Sequence, residues 1–336
     1  MKNLSKNDRN HKTDWFKERK WGVFAHYLHS LQNNPAHVNN DKAGETDWNE
    51  CVNALDAGLL ARQLHEIKAG YLIFTVMQQT RHMIAPNDTF DRITGYKPGQ
   101  ACAERDLACD LYEALKKYDI ALLLYFTGDG PTRDEKAAAA FGAGKFPVED
   151  GFVRRWASVL EEYSARYGEK IKGWWIDGLY EGIGYNEQNM EIIYNAALRG
   201  NPDALFSANY YGCLSGGTTK HIEGIGDVIF ADFYHEIAAP TKFCDYTAGE
   251  VVNFDAYPCG RFVKNAQSHI LSFLGIPPQP VMVYDGWGKR GSKYSGEYMK
   301  KYIECVNKLG GVVSVDVCLH RSGHIDQDQL SVLSCV

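Results

Sequence analysis

The feature that most constrains this chain is an alternation. Short, β-rich apolar runs alternate with longer stretches of helical spacing, about eight times over. The runs WGVFAHY (21–27), YLIFTVM (71–77), ALLLYFT (121–127), IKGWWID (171–177) and ALFSANY (204–210) read as strands. DVIFADFY (227–234), PVMVYDG (280–286) and GGVVSVDVCL (310–319) complete the predicted set. Between them lie helical patterns such as CVNALDAGLLARQLHEIKAG, FVRRWASVLEEYSARYG, FVKNAQSHILSFLG and GEYMKKYIECVNKLG. Strands separated by helices imply a parallel sheet. Eight such units favour an α/β fold of the closed (β/α)8 TIM type over an open doubly wound sheet. No G-x-G-x-x-G follows a strand and no phosphate-loop signature occurs, so nucleotide-binding versions lack support. Residues 1–13 read as a polar extension and 14–336 as one barrel domain. The AAAA tract at 137–140 falls in an insertion after the third strand.

Composition narrows the function classes. The 336 residues carry 36 Lys+Arg against 42 Asp+Glu, a net charge of −6, which gives no electrostatic attraction to nucleic acid or an anionic membrane. At 45% hydrophobic and 12% aromatic residues, the chain is no disordered protein. No apolar run approaches the roughly 20 residues that span a bilayer. The start, MKNLSKNDRNHKTDWF, lacks an apolar export stretch, so a cytoplasmic protein is expected. Nine cysteines, an odd number with no C-x-x-C pair, read as reduced thiols and not as a disulfide frame or zinc site.

In a parallel barrel the chemistry sits just past the carboxyl ends of the strands. The first strand delivers His26 and His29 there, and the second Gln78, Gln79, Arg81 and His82. The third gives Tyr125 and Asp129, the fourth Asp177 after Trp174 and Trp175, and the fifth Asn209 and Tyr210. The sixth gives Asp232, His235 and Glu236, with Asp245 and Glu250 on its long loop. The seventh gives Asp285 and Trp287, and the eighth Asp316, His320 and Arg321. The set is rich in carboxylates and aromatics and poor in phosphate clamps. Aromatic faces stack on sugar rings, and paired carboxyls act on glycosidic bonds. Each such residue also has a plainer reading. A strand-end carboxylate caps a helix or pairs with arginine, a lone histidine is satisfied in the core, and an aromatic is core. Of the adjacent pair Trp174 and Trp175, at most one can face the interior.

At these positions the chain resembles the glycoside hydrolase family 29 α-L-fucosidases. DWFKERKWGVFAHYLHS is similar to the family's opening, where a sugar-binding histidine falls at His26. EKIKGWWIDGLY resembles the segment ending in the nucleophilic aspartate, here Asp177. NPDALFSANY is similar to the next strand, with its asparagine at Asn209. CDYTAGEVVN resembles the loop that carries an acid, an aromatic and the acid/base glutamate, here Asp245, Tyr246 and Glu250. KYIECVNKLGGVVSVDV and GHIDQDQL resemble the end of the family's barrel, so the likeness runs over residues 14 to 332. Two departures stand out. MQQTRHM replaces the family's Lys-His-His-Asp-Gly-Phe stretch, putting the amides of Gln78 and Gln79 where imidazoles bind sugar. A barrel without the family's C-terminal β-sandwich is expected, with any contacts that sandwich supplies coming from elsewhere, for example a second subunit.

The resemblance implies a retaining glycosidase acting on an α-L-fucoside or related sugar of a small glycoside, with Asp177 as nucleophile. Glu250 is the first choice for acid/base and Glu236 the second. His26, Gln78, Gln79, Arg81, Trp175, Asn209, Tyr210 and Trp287 are the expected substrate contacts. The expected partner is a small carbohydrate, with no cofactor, metal, nucleic acid or membrane, and a homo-oligomer is left open. Two other classes compete. One is a catalytically idle carbohydrate-binding barrel. The other is a metal-dependent isomerase or hydrolase using His26, His29, His82, His235 and Asp285, though no His-x-His or Glu-x-x-His spacing supports it.

Overall fold

The computed structural model describes residues 11–33, 46–210, 218–222, 226–230, 241–256, 266–277 and 286–336. The first half follows the predicted alternation closely. Strands β1 (Trp21–Ala25), β2 (Tyr71–Thr75), β3 (Ala121–Thr127), β4 (Gly173–Asp177) and β5 (Leu205–Ala208) pair in parallel, each with the next. The helices between them begin where side chains can satisfy their free N–H groups. Asp56 caps Ala57–Glu66 through the Leu59 N–H at 2.9 Å, and Asp106 caps Leu107–Leu115 through Cys109 at 3.0 Å. Asn186 and Asn189 form a reciprocal capping box at the start of Glu187–Ala197.

The second half departs from the predicted order. Of the expected sixth strand, residues 227–230 fall in β7 (Gly226–Phe230), which pairs antiparallel with β6 (Thr218–Ile222) in a ribbon of its own. Residues 231–234 and nearly all of the expected seventh strand, 280–285, lie outside the described residues. The stretch read as the helix FVKNAQSHILSFLG holds β8 (His269–Phe273), which pairs in parallel with β9 (Val312–Val317). A five-residue apolar run is too short for periodicity to separate strand from helix, and pairing decided it. β9 returns to β1, giving a parallel sheet of order β5-β4-β3-β2-β1-β9-β8.

Its two edges, β5 and β8, are linked by the segment 245–251. Asp245 donates its N–H to Phe206 O at 2.8 Å, and its carboxylate accepts from the Phe206 N–H at 3.0 Å. On the other side, Thr247 N–H reaches Gln267 O at 3.0 Å and Val251 N–H reaches Leu271 O at 2.9 Å. The sheet is therefore curled, in a half-barrel compatible with the TIM type. Its inner face shows the curl directly. One apolar cluster takes Phe24, Ile73, Leu123, Tyr125, Trp175, Leu205, Leu271 and Val312 from the strands, with Tyr246 and Ala248 from the linking segment. Alternate strand residues, such as Leu122, Leu124 and Trp174, pack outward against the helices. Both faces are dry, as a parallel sheet requires. Phe16, on the short helix Asp14–Glu18, meets the Tyr71, Tyr246 and His269 rings at 4.8, 5.0 and 5.7 Å and covers the amino ends of the strands. Among the described residues, no helix is long and apolar enough to cross a membrane.

Candidate active site

A cavity of about 390 Å³ opens at the carboxyl ends of the strands. Asp177, Glu250, His26, Gln78, Trp175 and Trp287 line it, joined by Tyr125, Tyr180, Arg133 and Lys289. Its volume is at the lower end for small-molecule sites. Gln79, Arg81, Asn209 and Tyr210, expected to touch substrate, are not in its wall. Glu236 and the metal candidates His235 and Asp285 lie outside the described residues.

Asp177 ends β4, and four donors converge on it. Its Oδ1 accepts from Gly178 N–H at 2.8 Å, Tyr180 Oη at 2.8 Å and Asn209 Nδ2 at 3.0 Å. Among the described residues its Oδ2 accepts from Tyr125 Oη alone, at 2.8 Å, and Tyr125 in turn accepts from Gln78 Nε2 at 3.1 Å. Three donors saturate Oδ1, while Oδ2 keeps acceptor capacity on the cavity side. The tight turn depends on Gly178, whose φ is +66° and whose missing Cβ would lie 3.0 Å from Asp129. Tyr180 was missed in the sequence. Its only signal was its place three residues past Asp177 in the Asp-Gly-Leu-Tyr turn.

Glu250 sits on the linking segment. Gly249 before it has φ +67°, and a Cβ there would fall 2.0 Å from His269 O, so only glycine lets the chain pass β8 this closely. Glu250 Oε2 accepts from Asn209 Nδ2 at 2.5 Å. Burial, and then the neighbouring Asp177 charge, push the Glu250 carboxyl up to about 8, while the Asn209 amide acts in the opposite sense. Asp245, five residues before Glu250 in the same motif, is a clasp. It binds Phe206 and ion-pairs with Lys12 at 3.1 Å.

His26 Nδ1 meets Asp316 Oδ1 at 2.7 Å, and Asp316 Oδ2 accepts from Gly288 N–H at 2.6 Å. Burial raises the Asp316 carboxyl, with His26 opposing. His26 lines the cavity with its Nδ1 engaged by Asp316. Trp175 is the one of the tryptophan pair that faces inward. It stacks on Tyr125 with centroids 5.4 Å apart and donates Nε1–H to Ala248 O at 3.1 Å. Trp287 meets His26 edge-on at 5.7 Å.

The other expected contacts are spent elsewhere. Gln79 donates to Asp129 at 2.5 Å, and Asp129, raised by burial, also accepts from the Thr127 hydroxyl. Arg81 pairs with Asp134 at 2.8 Å, and Asp134 caps Glu135–Phe141. Asn209 is 0% exposed, and Tyr210 donates to Tyr185 O at 3.3 Å. His29 and His82 stack face to face at 3.9 Å, and burial with the His29 neighbour holds His82 down to about 3. No group of three His, Cys, Asp or Glu able to hold a metal ion occurs among the described residues.

No known family model matches the chain, and no curated protein matches it in sequence. Solved structures do. An endo-fucoidan hydrolase of glycoside hydrolase family 107 superposes over 97% of this chain and 92% of its own, with TM-score 0.66 and 13% identity. A family 29 α-L-fucosidase from Bacteroides thetaiotaomicron covers 97% of this chain and 74% of its own, at TM-score 0.62 and 14% identity. The α-L-fucosidase AlfC from Lactobacillus casei covers 97% of each chain, at TM-score 0.59 and 14% identity. The chain therefore has a family 29-like fold, far diverged in sequence.

Proposed function

We propose that this chain is a retaining glycoside hydrolase of the α-L-fucosidase kind, built on a (β/α)8 barrel in which 245–251 fills the sixth strand's place. Asp177 and Glu250 carry the reading. One amide nitrogen reaches an oxygen of each carboxyl, at 3.0 and 2.5 Å. The sum of those distances bounds the separation of the two oxygens. That bound, on the two oxygens tied to Asn209, is compatible with the ~5–5.5 Å carboxyl spacing of retaining enzymes.

In the first step Asp177 Oδ2 attacks the anomeric carbon, and the bond to the leaving oxygen breaks. Glu250, still protonated at neutral pH with its carboxyl near 8, gives that oxygen its proton. In the second step the Glu250 carboxylate takes a proton from water. The water oxygen bonds to the anomeric carbon, and Asp177 leaves as the carboxylate. Three donors on Oδ1 hold Asp177 still, and Tyr125 steadies the charge that returns to Oδ2. His26 and Gln78 face sugar hydroxyls, and Trp175 and Trp287 form the apolar walls. Fucose is the sugar proposed, because solved fucosidases share the fold.

The test is a panel of aryl glycosides, α-L-fucoside included, with wild type beside Asp177→Ala. Hydrolysis of one member, lost by roughly 10⁴-fold or more in the variant, is expected. Equal turnover by both proteins would overturn the assignment of Asp177.

A further inference from the structure

Asn209 is not in the cavity wall, yet it touches both carboxyls. We propose that Asn209 is a positioning residue whose single amide nitrogen fixes the separation of Asp177 and Glu250 and selects which oxygen of each faces the reaction. This rests on the glycosidase reading.

The side chain is held from behind. Asn209 N–H donates to Ile176 O at 2.8 Å, and Ala208 pairs with Ile176 in register, so Asn209 lies beside Asp177 across two strands. Its Nδ2 carries two hydrogens, and the structure spends one on Asp177 Oδ1 and one on Glu250 Oε2. The two N–H bonds diverge in the amide plane, so the two acceptors are splayed by a fixed angle. The choice of N over O is dictated by chemistry. The opposite rotamer would aim the amide oxygen at two carboxyl oxygens, replacing attraction with repulsion at both.

Among the described residues, Asn209 Oδ1 is buried with no hydrogen-bond partner. Buried polar atoms are almost always satisfied, and exceptions gather where chemistry demands them. A residue serving packing alone would be an apolar one of the same shape. With Oδ1 of Asp177 and Oε2 of Glu250 both tied to Asn209, the oxygens left are Oδ2, which attacks, and Oε1, which carries the proton. The bond also bears on proton affinity. A donor favours the ionised glutamate, so Asn209 keeps Glu250 from rising further than burial and Asp177 have already taken it.

Two measurements test this. The first needs no substrate and no Asn209 variant: the side-chain amide resonances of selectively ¹⁵N-labelled asparagine, followed from pH 6 to 10. The Asn209 signals are expected to shift with a midpoint near 8, and to lose that shift in Glu250→Gln. Signals indifferent to pH in that range overturn the proposal. The second is Asn209→Leu, near in shape and without a donor. Its kcat is expected to fall ~10–100-fold with KM within about twofold. The alkaline limb of its kcat/KM profile should move up by about half a pH unit or more. A folded variant with lowered kcat and an unmoved limb would reduce Asn209 to packing. Wild type inactive on every glycoside sinks the function reading, while the amide titration still decides the bridge.

Discussion

The two sides of the cavity hold their carboxyls in opposite ways. Asp177 ends a regular strand paired on both sides in the parallel sheet and accepts four hydrogen bonds from the described residues. Glu250 rides on an irregular segment at the sheet's seam, behind a left-handed glycine, and accepts one described bond, from Asn209. The first environment solvates an anion with fixed donors. The second withholds that solvation and lets burial and a like charge favour the neutral acid. In the proposed mechanism, two carboxyls of similar intrinsic chemistry take different tasks because their surroundings differ.

That contrast can be broken from either side. Glu250→Ala removes the acid and should lower kcat/KM by ~10²–10⁴-fold on a glycoside with a poor leaving group. Azide should restore turnover of an activated aryl glycoside and yield the glycosyl azide with retained configuration, read by NMR. Rescue of Glu236→Ala, and not of Glu250→Ala, would move the role to the other acid. Tyr125→Phe strikes the Asp177 side, deleting the donor to Oδ2. A bond to a charged group is worth ~1.5–3 kcal/mol, so kcat should fall about 10–100-fold. Loss in KM alone would mean that Tyr125 only binds sugar.

The smallest effect is on stability, and its sign follows from Glu250. The folded chain holds the proton up to about pH 8, while the unfolded chain releases it near ~4.3. The stabilisation is thus fully present below the unfolded value and is lost as pH rises through about 8. Glu250→Gln abolishes that loss. Its stability relative to wild type should rise with pH across this window, by at most ~1.4 kcal/mol per unit. Urea midpoints at pH 5, 6, 7 and 8 measure it, and parallel curves for the two proteins would contradict the contrast.

The same asymmetry explains what could be read in the sequence. The first five strands were legible because each is a short apolar run between capped helices, and Asp177 followed from its place at a strand end. The seam was not. HILSF carries no period that distinguishes strand from helix, and its pairing with β9 and with 245–251 is long-range. The linking segment, CDYTAGEVVN, is polar and glycine-bearing and looks like loop, so Glu250 was found only through its likeness to a family motif. Its neighbours Asp245 and Tyr246 serve the seam, Asp245 through Phe206 and Tyr246 through Trp174 O at 3.1 Å. Gln79, Arg81 and Asn209 stand past the strand ends as expected, but are absent from the cavity wall and bond to other side chains. Composition marks a polar residue near a site, while its partner, here Asp129, Asp134 or a carboxyl pair, is set by the packing of other strands.

The most direct test is to trap the sugar on the enzyme. A 2-deoxy-2-fluoro glycosyl fluoride of the sugar identified in the panel should add one glycosyl residue to the intact mass, and peptide mapping should place it on Asp177. An adduct on any other residue would contradict the account, as would no adduct while wild type hydrolyses the parent glycoside with inversion.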